Sequence, residues 1–227
     1  MNYNIDEWKH VFKIDPAKEI SESALTELCY SGTDAIMVGG TDNITFDAVL
    51  EMLSRVRRFP VPVILEISEL EAITPGYDYY FIPMVLNSKD KTWVMDKQHQ
   101  AIKEYKTMMN WEETMMEGYC IMNEDAKAFQ KTNCTLPRQE DVLAYAFMAE
   151  HIFHLPIFYI EYSGVFGNAQ LVKQVSEELK QTTLFYGGGI STAAEAREMS
   201  TYADVIVVGN SIYTNFEEAM NTVQAIK

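Results

Sequence analysis

The chain has 227 residues, 48% of them hydrophobic, and a net charge of −15 from 18 basic and 33 acidic side chains. That length and composition suffice for one large domain with its own core, so we expect residues 1–227 to form a single domain. The acidic balance argues against nucleic-acid binding, which needs clustered lysine and arginine, and no apolar run reaches the roughly 18 residues of a membrane-spanning helix.

Short β-branched or aromatic runs alternate with longer amphipathic segments, which is typical of repeated βα units. The predicted strands cover residues 10–14, 35–38, 63–67, 79–85, 119–122, 157–162, 184–186 and 205–208. Helices are predicted over residues 23–30, 46–57, 91–116, 139–153, 169–180, 193–202 and 216–226. Eight strands and seven helices in this order favour a closed (β/α)8 TIM barrel over an open doubly wound sheet.

The connection between the third and fourth strands is irregular. Only residues 68–78 are available for it, and they include Pro75 and Gly76. Because this stretch is too short and too broken for a crossover helix, we expect the third helix to be missing or replaced by an extended segment.

Glycines mark one end of the predicted barrel. Seven of the 11 glycines follow predicted strands directly, namely Gly39, Gly40, Gly164, Gly187, Gly188, Gly189 and Gly209. Active sites of such barrels lie at this end, and the loops after the last two strands often bind a phosphate through backbone N–H groups. Residues 187–189 and 209–210 therefore predict a phosphate cradle, the alternative being turns that merely close the barrel.

Other strand ends carry a family resemblance. It lies in residues 8–16, in residues 32–34 leading into 38–41, in residues 81–88 and in residues 159–164, which read Tyr-Ile-Glu-Tyr-Ser-Gly. These segments run through nearly the whole chain and resemble the geranylgeranylglyceryl and heptaprenylglyceryl phosphate synthases. The absent third helix is a trait of the same family.

The resemblance implies an enzyme that joins a long prenyl diphosphate to the C3 hydroxyl of sn-glycerol 1-phosphate, with Mg2+ and as a homodimer. Bacterial members use a heptaprenyl donor. By the resemblance, Lys13 contacts glycerol phosphate, and Asp15 and Thr41 bind magnesium. The acceptor is held by Tyr159, Ile160, Glu161, Tyr162, Ser163 and Gly164, and its phosphate by Gly188, Gly189, Gly209 and Asn210.

Elementary chemistry agrees with the two carboxylate roles. In prenyl transfer a diphosphate leaves an allylic carbon, so a cation that neutralises the departing oxygens supplies much of the catalysis. Asp15 is a hard oxygen donor suited to Mg2+, and Glu161 could orient the acceptor hydroxyl or take its proton. Without the resemblance, Asp15 followed by Pro16 reads as a turn or helix N-cap, and Glu161 as a salt-bridge partner.

Ala101 is the candidate determinant of prenyl length. It is the small side chain on the face of the predicted helix that also holds Val94, Tyr105 and Met108. By the resemblance, archaeal members carry a bulky aromatic residue here, so alanine indicates a longer donor. The alternative is that alanine allows close packing against a strand.

Two other functions stay open at this point. A phosphosugar isomerase or lyase on the same barrel would need a lysine or an acid–base pair in the barrel mouth, and predicted strands three to eight contain no lysine. A non-catalytic protein that binds a phosphate ligand would not need the glycine cradle together with Lys13 and Asp15.

The cysteines bear on the cellular compartment. Cys29, Cys120 and Cys134 are too few and too scattered for a disulfide framework or a zinc site. The first residues show neither a basic segment nor the apolar stretch of a signal peptide. We expect a cytoplasmic protein that makes at most transient membrane contact.

Overall fold

Eight parallel strands close into a barrel in the computed structural model, which describes residues 4–227. Each strand pairs with its successor in the chain, and β8 pairs with β1. The strands are β1 His10–Ile14, β2 Ala35–Val38, β3 Val63–Glu66, β4 Tyr79–Val85, β5 Thr114–Ile121, β6 Ile157–Glu161, β7 Thr183–Gly187 and β8 Val205–Val208. The prediction of a (β/α)8 barrel is confirmed.

Side-chain alternation along the strands builds two apolar layers, because successive residues of a strand point to opposite faces. In β6, Ile157 and Tyr159 belong to the cluster that fills the barrel, whereas Phe158 and Ile160 pack outward against the helices. A strand buried on both faces reads as the continuous apolar run from which it was predicted.

The helices surround this sheet. They are α1 Glu22–Tyr30, α2 Phe46–Val56, α3 Lys97–Tyr105, α4 Lys127–Lys131, α5 Gln139–Met148, α6 Ala169–Glu178, α7 Ala193–Ser200, α8 Ser211–Thr214 and α9 Phe216–Ile226. Several begin at a side-chain cap; Ser21, Thr45 and Thr192 accept the amide N–H three residues later. The short α4 and α8 were not predicted, and both border the cavity described below.

The third connection contains no α-helix, as expected. A single 3-10 turn, Leu70–Ala72, stands in the stretch between β3 and β4. Tyr80 fixes this stretch, because its hydroxyl accepts the Gly76 amide and donates to the Thr74 carbonyl. The flank of the barrel that a third helix would cover is therefore left open.

The predicted helix over residues 91–116 is wrong in its second half. A π-helical turn, Thr92–Asp96, leads into α3, which ends at Tyr105, and β5 begins at Thr114. Residues 114–119 pair with β4 in continuous register. Methionines such as Met115 and Met116 favour a helix locally, but pairing with the neighbouring strand overrides that preference.

Two further properties concern the chain as a whole. Within residues 4–227, no helix combines the length and the hydropathy needed to cross a membrane. Cys29, Cys120 and Cys134 are buried free thiols.

Candidate active site

The loops that follow the strands enclose a polar cavity of about 620 Å³ at the C-terminal end of the barrel. Eleven of the residues predicted for the site line it: Lys13, Asp15, Thr41, Tyr159, Glu161, Ser163, Gly164, Gly188, Gly189, Gly209 and Asn210. These residues come from five different strand ends, which only closure of the barrel brings together. We call this space the polar cavity.

Ile160 and Tyr162 do not line the polar cavity. Ile160 is fully buried in the layer between sheet and helices, and the Tyr162 ring packs on Tyr186 with centroids 6.0 Å apart. Both follow from alternation, since their neighbours Tyr159 and Glu161 point inward. Neither side chain therefore faces the polar cavity, and binding of the acceptor by Ile160 and Tyr162 stays a prediction.

Two glycines give the cradle its shape. Gly188 has φ of 116° and Gly189 has φ of 66°, in the left-handed region that side chains rarely adopt. A Cβ at Gly189 would collide with the backbone of Val165 and Phe166, and one at Gly188 would lie 2.6 Å from the Ser163 nitrogen. The loops after β6 and β7 pack backbone on backbone here, and Ser163, Gly164, Gly188 and Gly189 line the polar cavity.

Gly209 differs from these two. A Cβ there would stay at an ordinary 3.5 Å from the Lys13 carbonyl oxygen. Next to it, the Asn210 side-chain oxygen accepts a hydrogen bond of 3.2 Å from Lys18, whose ammonium also lies 4.9 Å from the Tyr213 ring centroid. Lys18 therefore adds a positive charge to the cradle that was not predicted.

Four charged side chains lie inside the barrel at its C-terminal end. The eight strands contain four Lys, Arg, Asp or Glu residues in all, namely Lys13, Glu66, Glu117 and Glu161. The Lys13 ammonium lies 2.7 Å from both carboxylate oxygens of Glu66. Glu161 accepts a hydrogen bond of 2.6 Å from the Ser163 amide. We call Lys13, Glu66, Glu117, Glu161 and the hydroxyl of Tyr119 the interior cluster.

The electrostatics of the cluster follow from burial and from the excess of acids. Burial opposes the charge of Lys13, but the carboxylates of Glu66 and Glu161 outweigh it and raise the Lys13 pKa. Glu117 is fully buried and its two carboxyl oxygens have no hydrogen-bond partner among residues 4–227. Burial, then the charge of Glu66, raises the pKa of Glu117 well above the ordinary value and so favours the neutral form of this carboxyl.

Asp15 is the carboxylate best placed for a cation. Its Oδ1 accepts the Ala17 amide at 3.0 Å, and its Oδ2 has no hydrogen-bond partner among the described residues. Gly40 makes room for it, since a Cβ there would lie 2.7 Å from Oδ1. No group of three or more His, Cys, Asp or Glu residues in the described part of the chain forms a closed metal site. One free carboxylate oxygen at the edge of the polar cavity fits Mg2+, which usually takes few protein ligands and completes its shell with water and substrate phosphates.

A second, more apolar cavity of about 130 Å³ runs from the barrel mouth along the open flank. Its far part is lined by Leu70, Ile82, Pro83, Trp93 and Ala101. Ala101 thus faces the cavity, whereas Met108 lies beyond the end of α3 and is exposed; the role of Ala101 in prenyl length stays a prediction. We call this space the groove.

The groove and the polar cavity meet at the mouth of the barrel. Both are lined by Lys13, Gly40, Thr41, Ala128, Glu161 and Ser163. A polar ligand and an elongated apolar ligand would therefore touch each other beside Glu161. The missing third helix is what allows the groove to exist.

Sequence reasoning missed the partners of the predicted residues. Besides Lys18, these are Glu66 and Tyr119 in the barrel, and Lys127, which lies 2.8 Å from Asp42 at the rim of the polar cavity. A charged residue inside a buried strand is rare, and that signal was available for Glu66.

A (β/α)8 barrel with a glycine cradle after its last two strands and an apolar groove along an open flank defines a protein that brings a phosphorylated ligand against a long apolar one. The chain matches the PcrB family over residues 3–227 and belongs to that family.

Its relatives agree over almost the whole length. Over 225 residues it is 64% identical to the heptaprenylglyceryl phosphate synthase of Oceanobacillus iheyensis, with 99% of this chain and 98% of the relative covered. It is 56% identical over 226 residues to the protein of the same name from a Geobacillus species, with 99% of each covered. The structure superimposes with a TM-score of 0.86 on (S)-3-O-geranylgeranylglyceryl phosphate synthase from Thermoplasma acidophilum in complex with its substrate sn-glycerol-1-phosphate; that protein is 28% identical, and the match covers 97% of this chain and 93% of the other.

Proposed function

We propose that this protein transfers a heptaprenyl group from heptaprenyl diphosphate to the C3 hydroxyl of sn-glycerol 1-phosphate, giving heptaprenylglyceryl phosphate and diphosphate. The observation that carries the proposal is the meeting of the groove and the polar cavity beside Glu161. The names of the relatives support the same reaction.

The acceptor occupies the polar cavity. Its phosphate lies on the loops at Gly188, Gly189, Gly209 and Asn210, where backbone N–H groups and Lys18 compensate its charge. Tyr159, Ser163 and Gly164 border the glycerol part. This orientation directs the C3 hydroxyl toward Glu161.

Glu161 acts on the acceptor hydroxyl. Its Oε1 is fixed by the Ser163 amide at 2.6 Å and its Oε2 lies 3.2 Å from the Tyr119 hydroxyl, so the carboxylate is held in one orientation. A carboxylate placed in this way takes the hydroxyl proton as the oxygen attacks the allylic carbon, a step that typically contributes about 10²–10⁴-fold.

The diphosphate of the donor lies at the rim, where the two cavities join. Lys13 and Lys127 would contact its oxygens. Asp15, with Thr41 beside it, would hold Mg2+ there, and the ion would neutralise the charge of the departing diphosphate. The prenyl chain extends along the groove, which stays open at Ala101 and so accepts a seven-unit donor.

The two alternative functions leave the groove unexplained. An isomerase or lyase of small phosphosugars, or a protein that only binds a phosphate ligand, would fill the polar cavity and have no use for an apolar space that joins it. We keep the homodimer implied by the resemblance as part of the proposal. Phe147 near the end of α5, and Ile152 and Phe153 in the turn that follows it, are exposed apolar side chains available for it, and sedimentation of the purified protein tests it.

The experiment is a transfer assay with purified protein. Labelled sn-glycerol 1-phosphate is incubated with prenyl diphosphates of four and seven isoprene units, with and without Mg2+. The product is then extracted, quantified from its label and identified by mass spectrometry. We expect the ether product, more of it with the seven-unit donor, and none after chelation. Glyceraldehyde 3-phosphate offered as a small phosphosugar control should remain unchanged, and conversion of it without any ether product would support an isomerase or lyase instead.

A further inference from the structure

The Tyr119 hydroxyl connects two carboxylates that the proposed mechanism treats separately. It lies 3.2 Å from Glu161 Oε2 and also 3.2 Å from Glu66 Oε1. A tyrosine hydroxyl has one proton to donate, so it can bond to only one of the two at a time. The equal distances place that single proton between two acceptors.

Lys13 determines where the proton points. Its ammonium donates to the Tyr119 oxygen at 3.2 Å while it is paired with Glu66. This occupies one lone pair of the hydroxyl and directs the proton toward the carboxylates. The second lone pair stays available for a donor on the side of Glu161. Burial raises the pKa of Tyr119 well above its ordinary value, so the hydroxyl does not lose its proton to the solvent.

The proposed reaction releases one proton from the acceptor hydroxyl.

We propose that Tyr119 relays this proton from Glu161 to Glu66. The inference rests on the proposed transfer reaction. As the bond between the C3 oxygen and the allylic carbon forms and the carbon–diphosphate bond breaks, the hydroxyl proton passes to Glu161. Glu161 then donates to the free lone pair of Tyr119, and Tyr119 gives its own proton to Glu66. Glu161 is deprotonated again, and the proton rests on Glu66, which lines the groove but not the polar cavity.

The relay makes a chemical difference at the new ether oxygen. A proton left on Glu161 would stay beside that oxygen in the polar cavity, whereas a proton on Glu66 lies one hydrogen bond further from it. Tyr119 acts here through Glu161 and is a positioning residue.

The test is a pair of variants and their combination. Tyr119→Phe keeps the ring and removes the hydroxyl, and Glu66→Gln removes the final acceptor. We expect Tyr119→Phe to lower kcat by about tenfold or more, within the range of a lost proton-transfer partner, with the KM for sn-glycerol 1-phosphate changed less than about twofold. The double variant should be no slower than the slower single variant, because both changes interrupt one path.

Tyr77→Phe is the matched control. Tyr77 is another buried tyrosine, but its hydroxyl donates to the carbonyl of Val49 in α2, and it is not part of the interior cluster. We expect it to keep the wild-type kcat. Thermal unfolding of every variant checks the fold, and should Tyr119→Phe not fold, the split between kcat and KM in Glu66→Gln decides.

Three results overturn the relay: a Tyr119→Phe enzyme with normal kcat, a loss that lies in KM alone, or single losses that multiply in the double variant. An inactive wild-type protein would instead refute the proposed function, and the relay with it.

Discussion

Replacing Glu117 by glutamine removes a titrating group from the barrel interior and keeps the shape of the side chain. The carboxyl of Glu117 is fully buried and unpartnered among the described residues, and burial and the nearby Glu66 charge raise its pKa well above the model-peptide value of 4.5. The folded protein therefore holds a proton that the unfolded chain releases. Folding stability must fall as the pH rises above 4.5, and it continues to fall until the folded pKa is reached.

The magnitude follows from linkage. One bound proton that differs between the two states changes the free energy of unfolding by about 1.4 kcal/mol for each pH unit in that window. The Glu117→Gln variant does not show this decrease in the free energy of unfolding with rising pH. Its amide introduces two donors into a site without partners, at a cost of about 1–3 kcal/mol that does not depend on pH. The stability difference between Glu117→Gln and wild type should therefore grow in favour of the variant by about 1.4 kcal/mol per pH unit from pH 5 up to the folded pKa of Glu117, and stay constant above it.

The assay is urea denaturation at pH 5, 6, 7 and 8, with the free energy extrapolated to water. Glu150→Gln is the control with the opposite sign. Burial opposes the charge of Glu150, but hydrogen bonds from the amides of Lys180, Gln181 and Thr182 outweigh it and lower its pKa to about 2. Its stabilising contribution is complete above the unfolded value and lost only as the pH falls toward 2, so Glu150→Gln should be less stable than wild type by a constant amount from pH 6 to 8. Parallel stability curves for wild type and Glu117→Gln would refute the assignment of a neutral Glu117.

Three further predictions concern activity. Asp15→Ala should abolish prenyl transfer by about two to four decades in kcat while the melting temperature stays near that of wild type, since only the cation anchor is lost; near-normal activity in Mg2+ would contradict this role. Gly189→Ala should raise the KM for sn-glycerol 1-phosphate about tenfold or more, because the added Cβ collides with the backbone of Val165; an unchanged KM would place the cradle elsewhere. Ala101→Trp should plug the groove, lower kcat/KM for the seven-unit donor and retain the four-unit donor; equal losses for both donors would show that Ala101 only packs.

Most of the fold could be predicted because each element carries its own local signal. The strands read as apolar runs because the barrel buries both of their faces. The missing third helix was visible in a short connection broken by Pro75 and Gly76. The end of α3 was not, since methionines suit a helix as well as a strand and only the register with β4 decides between them.

The cradle was predictable for a related reason. Gly188 and Gly189 adopt positive φ, which glycine alone reaches without strain, so the residue type itself predicts the backbone conformation. Ala101 lies on the groove because a helix places residues by a fixed period, although the helix itself ends earlier than expected.

The interior cluster could not be derived in the same way. Lys13 and Glu66 are 53 residues apart, and Tyr119 lies another 53 beyond Glu66. No local pattern links them, because their contact depends on closing the barrel through β1, β3 and β5. The sequence does contain one signal for the cluster, because charged residues inside buried strands are rare. Each of the four charged strand residues turned out to belong to one cluster, so such residues should be read as a set.

The lysines that are paired with carboxylates do not explain how so acidic a chain would bind two anionic substrates. Lys13 is neutralised by Glu66 and Lys127 by Asp42. Neither lysine offers an unmatched charge, so a phosphate must compete with a carboxylate for each of them. Affinity for phosphate then has to come from groups that have no such competitor, namely Lys18, the backbone N–H groups of the cradle and a cation on the free oxygen of Asp15. Selectivity follows from this arrangement, because an anion gains full binding only where it contacts the cradle and the cation together.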